Sequence, residues 1–216
     1  EIVGKIGRFN PEHREITEYQ LPNLTPGSYY GQIYPDRIIV QDNSIAWLST
    51  NRGEIASLDI HTSKLTMYSS RFRAFWQYSL AIDSKKRIWG TGSVYSTTHW
   101  GTIEFIVFRF DPKSMILHEW AFPVPSHISP YSICIDHNGN PWFTFVNSNI
   151  NSSWAFGNNF ATIDITNNVL TAWMVGSGYT SQFKGIVEDP VSGDIWMTGG
   201  DSGVGINKVY RYKIGA

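Results

Sequence analysis

The sequence predicts an all-β fold, specifically a β-propeller, from three observations. A repeat of about fifty residues runs through the chain, each copy contains four short extended segments, and no stretch has helical periodicity. The first landmark of the repeat is an apolar run, a polar turn and then a Trp. It occurs as Ile38–Asp42 before Trp47, Ser79–Asp83 before Trp89, Ser132–Asp136 before Trp142 and Gly185–Asp189 before Trp196. These tryptophans are 42, 53 and 54 residues apart. A second landmark closes the third segment at Asn10, Asp59, Asp111, Asp164 and Lys213, spaced by 49, 52, 53 and 49 residues. The fourth segment follows as Glu15–Tyr19, Lys64–Tyr68, Ile116–Trp120 and Val169–Trp173.

With strands labelled a to d from the centre outward, residues 4–21 supply c and d of one blade. Residues 35–69, 78–122 and 131–175 form three complete blades, and residues 183–214 supply a, b and c of another. All belong to one propeller domain or fragment. One c strand is surplus to a closed four-bladed ring, which predicts an arc of a larger propeller, because bare sheet edges invite aggregation. His137-Asn-Gly139 offers Asn and Gly for the positive φ angles of a tight hairpin, and Pro190-Val-Ser-Gly193 does the same in a longer loop. The periodic tryptophans read as packing residues between blades. Asp42, Asp83, Asp136 and Asp189 read as turn residues that accept backbone hydrogen bonds.

Composition narrows the function classes. Of 216 residues, 42% are apolar and 15% aromatic, enough for a substantial core. Seventeen basic and eighteen acidic side chains, with no block of like charge, argue against a nucleic acid partner. Only 16% of residues are charged, against about 25% in an average soluble domain, which suits an extracellular or cell-surface protein. Two glycosylation sequons, at Asn23 and Asn151, fit that expectation. Glu1–Asn10 reads as folded strand, so an export signal is expected to have been removed or to lie outside these residues. No apolar run is long enough to span a membrane. The single cysteine, Cys134, lies in an apolar strand and reads as a core residue.

In a propeller the b–c loops and d–a connections emerge on one face. From the Trp to the Asp marker the first blade uses 12 residues and the next two use 22, so two insertions project there. They carry Tyr95, His99 and Trp100 in one and Trp154 and Phe156 in the other, beside Phe75 and Trp76 in a neighbouring connection. Such rings either form a contact surface for a protein or glycan or fold back as plugs over the blades. Where strand a begins, Arg37, Tyr78, Tyr131 and Lys184 mark the rim of the central channel. His99 and His127 share the loop face, but no spacing resembles a zinc motif, so no metal is expected.

Lys5-Ile-Gly-Arg-Phe-Asn-Pro11, Glu15-Ile-Thr-Glu-Tyr-Gln-Leu-Pro22 and Asn140-Pro-Trp-Phe-Thr144 resemble the repeat of the streptogramin (virginiamycin B) lyases. The resemblance implies a seven-bladed propeller, of which roughly three blades are missing here. It also implies a Mg-dependent elimination that uses histidines at the start of inner strands and a glutamate just after Trp-Phe-Thr. The matching inner-strand positions are Arg37, Tyr78, Tyr131 and Lys184, and the glutamate position is Phe145, with Thr50, Gly92 and Gly199 in the other blades. None is of the required type. The expectation is therefore a non-catalytic, cofactor-free propeller that binds a protein or glycan through its loop face, within a larger assembly. The alternative is a Mg-dependent C–O lyase whose catalytic residues lie in other blades.

Overall fold

The computed structural model describes residues 5–20, 35–50, 54–68, 76–95, 103–124, 128–147, 158–167, 169–175, 181–201 and 207–214. All regular structure among these is β. An opening hairpin pairs β1 (Lys5–Asn10) with β2 (Glu15–Gln20). The first complete blade holds β3 (Pro35–Gln41), β4 (Ile45–Thr50), β5 (Ile55–Asp59) and β6 (Leu65–Tyr68). The second holds β7 (Trp76–Ile82), β8 (Ile88–Tyr95), β9 (Ile103–Asp111) and β10 (Ile116–Val124). The third holds β11 (Ile128–Ile135), β12 (Pro141–Asn147), β13 (Asn158–Asp164) and β14 (Val169–Val175). A last sheet has three described strands, β15 (Ser181–Glu188), β16 (Ile195–Asp201) and β17 (Asn207–Tyr212). Neighbours in sequence pair throughout, so every sheet is a meander, as the fourfold segment pattern requires. The chain is thus a partial β-propeller of three complete blades and two incomplete ones.

Residues 1–77 and 78–216 form two compact units. In the first, Ile6 and Tyr19 of the hairpin pack on Ala46, Leu48, Ala56 and Leu58 of the first blade. In the second, Trp89, Phe105 and Val107 of one blade meet Ile133, Phe143, Ala161 and Ile163 of the next. On the far side of that next blade, Trp142 and Phe160 meet Phe183, Ile195 and Met197 of the last sheet. Alternation along each strand explains this: successive side chains point to opposite faces, so each blade presents its Trp face one way and a second apolar face the other.

The strand-b tryptophans are buried at Trp47, Trp89 and Trp142, and each indole N–H is satisfied from six residues upstream. Trp89 donates to Asp83 Oδ2 and Trp142 to Asp136 Oδ2, both at 2.9 Å. In the first blade the acceptor is Gln41 Oε1 at 2.8 Å, because Asp42 has moved into the turn beside Asn43, both left-handed with φ 49° and 55°. Asp83 also accepts the Lys85 and Arg87 N–H groups at 2.9 Å and Arg87 Nε at 2.6 Å. Burial raises the Asp83 pKa, but the Trp89 and Arg87 hydrogen bonds outweigh it and hold the carboxyl below the usual range.

The last sheet departs from this rule. Its a–b hairpin is one residue longer, so Pro190 stands six residues before Trp196. Asp189 instead takes the Val191 N–H and the Ser192 hydroxyl. Trp196, half-buried, lies 5.5 Å under the Arg211 guanidinium, which pairs with Asp194.

The third-strand marker caps the c–d turn. Asn10, Asp59, Asp111 and Asp164 each accept the N–H groups two and three residues ahead through one side-chain oxygen. Turn hydrogen bonds pull the carboxyls of Asp59, Asp111 and Asp164 below their ordinary pKa. Of the expected tight-hairpin residues, Gly139 is left-handed at φ 87° and Asn138 is not. Lys86 occupies the equivalent place in the second blade, at φ 63°. Each sits where the N–H of the hairpin's fourth residue reaches back to the carbonyl of Asp136 or Asp83. Cys134 is partly buried against the Trp142 core, and burial pushes its thiol up to about 12, so it is protonated at neutral pH.

Two predictions follow from the turns. Carboxyls lowered in the folded state add stability above the unfolded value of about 3.9 and lose it as pH falls through their native pKa. The urea midpoint is therefore expected to drop steeply below pH ~4; an Asp111→Asn variant, which keeps an acceptor as Asn10 does, should show a shallower drop. His137, raised by its hydrogen bond to Glu188, has the opposite sign: its contribution is present below about 6.5 and lost as pH rises through its native pKa. Separately, Lys86→Gly should raise stability by about 0.5–1 kcal/mol by relieving left-handed strain, read as an increased urea midpoint with unchanged slope.

Candidate functional site

The inner strands carry a recurring irregularity near their starts. On β3, Pro35 lies opposite Thr50 and Arg37 opposite Ser49, leaving Asp36 as an extra residue. On β11, Pro130 faces Phe145 and Ile133 faces Phe143, so Tyr131 and Ser132 together oppose Thr144. On β15, Phe183 faces Gly199 and Gly185 faces Thr198, leaving Lys184 extra. A bulge of this kind bends the strand and re-aims a side chain, and it is common beside binding sites. Tyr131 and Lys184 lie in the bulges and Arg37 directly follows one. Arg37 and Lys184 are exposed, and Tyr131 is half-buried.

Strand b supports these bulges. Two residues after each Trp stands a hydroxyl: Ser49, Thr91, Thr144 and Thr198. Thr144 Oγ1, fully buried, accepts the Ser132 N–H at 3.3 Å and so satisfies a bulge amide. A Cβ added to Gly185 would stand 2.7 Å from Thr198 Oγ1, so glycine alone leaves the threonine its place. The buried hydroxyls of Ser49 and Thr91 have no hydrogen-bond partner among the described residues. This Trp-x-Ser/Thr recurrence was readable in the sequence and is the signal that reasoning from turns and loops passed over.

In the second unit the inner strands are tied side by side. The Ile133 N–H donates to Ser79 Oγ on β7 at 3.3 Å. Just beyond the C-terminal end of β11 the His137 N–H and Nδ1 both meet Glu188 Oε1, at 2.8 and 2.6 Å. Tyr131 and Lys184 therefore stand on adjacent inner strands. A phenol and an ammonium so placed can each donate hydrogen bonds to an acceptor-rich ligand.

The position that the lyase resemblance assigns to a glutamate is core here. Phe145 is buried with its ring 5.3 Å from Phe105 and 5.2 Å from Phe143. Thr50 and Gly92 are also buried. Among the described residues no group of three or more His, Cys, Asp or Glu side chains is placed to hold a metal ion. Of the expected loop-face residues, Trp76 opens β7 and Tyr95 closes β8, while the expected rim residue Tyr78 lies on β7. Phe75, His99, Trp100, Trp154 and Phe156, and the sequons at Asn23 and Asn151, lie outside the described residues. No described helix is long and apolar enough to cross a membrane.

No family model and no curated protein matches the chain. Solved structures do. A catalytically inactive virginiamycin B lyase from Staphylococcus aureus with quinupristin is similar over 98% of this chain and 64% of its own, at TM-score 0.62 and 15% identity. A streptogramin B lyase structure is similar over 99% of this chain and 63% of its own, at TM-score 0.62 and 17% identity. A complex of KlAtg21 with the coiled coil of AgAtg16 is similar over 98% and 60%, at TM-score 0.59 and 15% identity. The chain therefore shares the propeller fold of the lyases and spans less than two thirds of their length.

Thr144→Val keeps the shape of strand b but leaves the Ser132 amide without its acceptor. It should lower stability by about 1–3 kcal/mol in urea unfolding, with the slope unchanged.

Proposed function

We propose that the chain is a non-catalytic propeller module, extracellular or on a cell surface, that binds a protein or glycan through its loop face as a subunit of a larger assembly. The observation that carries this reading is Phe145: where the lyase resemblance calls for a carboxylate base, this blade has a packed aromatic ring. The inner-strand bulges support it, because they direct structural irregularity to the end where the long b–c insertions also emerge. Tyr131 and Lys184 supply hydrogen-bond donors suited to the acceptor groups of glycans and peptide backbones. Among the fold neighbours, the complex with a coiled coil is an instance of this scaffold engaging a protein. The low charge content and the two sequons favour an exported location. The lyase resemblance implies a ring of about seven blades in the whole protein, to which this chain contributes three complete blades and two incomplete ones.

A second reading, a Mg-dependent C–O lyase with its catalytic residues in other blades, is favoured by the fold likeness to two lyase structures. One pair of measurements separates the two. The whole protein, with every blade of the ring present, should leave the cyclic depsipeptide quinupristin intact in the presence of Mg²⁺, read by mass spectrometry. On an array of glycans and extracellular proteins it should bind a defined subset, with affinity reduced about tenfold in Tyr131→Ala and Lys184→Glu. Ring opening of the depsipeptide would overturn the proposal, as would binding indifferent to both substitutions.

A further inference from the structure

The second blade brings its two turns together at the hairpin end. Ile88 lies opposite Phe110 and Trp89 opposite Arg109, so the a–b hairpin that precedes β8 stands beside the c–d turn that follows β9. Residues 83–87 and 109–115 there carry five cations, Lys85, Lys86, Arg87, Arg109 and Lys113, against two carboxylates, Asp83 and Asp111. The matching residues of the first blade, 41–45 and 57–63, hold two carboxylates and no Lys or Arg. Those of the third blade, 136–140 and 162–168, hold the same. The positive charge is peculiar to one blade and is not a requirement of the turns.

Both carboxylates are committed to the fold. Asp83 accepts the Trp89 indole N–H, the Lys85 and Arg87 amides and Arg87 Nε, and Asp111 accepts the Lys113 and Ser114 amides. The Arg109 guanidinium lies 5.4 Å from the Trp89 ring and 5.6 Å from the Trp120 ring, which positions the cation without supplying it an acceptor. Burial and then the Arg87 charge lower the Arg109 pKa, so the patch is short of negative charge. Lys85, Lys86 and Lys113 are exposed. Met115 and Ile116, next on the c–d turn, are 61% and 50% exposed. Lys86 and Met115 also hold left-handed backbone, at φ 63° and 60°, which neither residue type favours. Gly139 stands where Lys86 does in the third blade, so the second blade keeps an ammonium at a position where glycine is more stable.

We propose that these two turns form a docking surface for an acidic segment of a partner polypeptide, one that carries an apolar side chain among its carboxylates. The carboxylates meet Lys85, Lys86, Lys113 and the Arg109 guanidinium, and the apolar side chain covers Met115 and Ile116. That exposed apolar pair selects a polypeptide over a sulfated glycan, whose anionic groups have nothing to bury against it. The capping carboxylates fix the backbone of both turns, and the side chains between the caps are what distinguish this blade. The surface lies at the opposite end of the blade from the b–c insertion, so it is independent of the loop-face reading and stands or falls separately from it.

The test follows the fluorescence anisotropy of a labelled peptide of repeating Glu-Glu-Leu as the whole protein is added. Saturable binding is expected, weakening as salt is raised, and the Gln-Gln-Leu counterpart should not bind. Lys113→Glu should weaken binding about tenfold. Lys86→Gly and Met115→Asn, which suit the left-handed backbone, should each weaken it about threefold to fivefold while the urea midpoint holds or rises, so loss of binding is separated from loss of fold. Lys208→Glu, on β17 and outside the patch, should leave the affinity unchanged. Absence of binding, equal binding by the Gln-Gln-Leu peptide, or affinity indifferent to Lys86→Gly and Met115→Asn would overturn the proposal. Tighter binding of heparin than of the Glu-Glu-Leu peptide would overturn it in favour of a sulfated glycan.

Discussion

Each complete blade depends on burying one tryptophan without orphaning its indole N–H. The ring is large enough to dominate the packing between blades, and its N–H must find an acceptor once water is excluded. Asp83 and Asp136 provide that acceptor from the end of the preceding strand, and in doing so they tie the length of the a–b hairpin to the position of the ring. The fourth strand then lays its own aromatic against the indole. Hairpin length, strand register and blade stacking are thereby set together.

This constraint divides the molecule into two ends with different tasks. At the hairpin end, side-chain carboxylates cap the c–d turn of each complete blade and the a–b turns of the second and third, and His137 and Glu188 tie two inner strands together. Little room for variation in the backbone is left there. At the other end the inner strands bulge, the b–c connections differ in length, and Arg37, Tyr131 and Lys184 occupy positions that packing does not dictate. A scaffold held at one end can vary the other without loss of register, which is how loops come to carry function on rigid supports.

Much of the fold was legible in the sequence because its landmarks have physical tasks. The Trp, the turn Asp and the third-strand marker recur since each blade needs a buried ring, an indole acceptor and a capped turn. What escaped the sequence was local geometry. Asp42 aligns with Asp83 by type, yet Gln41 takes the indole, because the first hairpin is one residue shorter and nothing in composition announces that. Left-handed backbone at Lys86 and Met115 is equally silent, as both are residues that disfavour it. Bulges leave no mark either, since one extra residue within a strand disappears into the variable spacing between repeats. The rim positions were chosen because they sit at strand starts, and the hydroxyl that holds the bulge was overlooked because Ser and Thr are common in every strand here.

The central claim is that a blade is complete only when a fourth strand covers the third and closes over the tryptophan. Native-state hydrogen exchange, followed strand by strand, tests it most directly. Amides of β9 and β13 that face the fourth strand should be protected close to the global stability, whereas amides of β17 that do not bond to β16 should exchange at nearly unprotected rates. Equal protection along β17 in the isolated monomer would contradict the account.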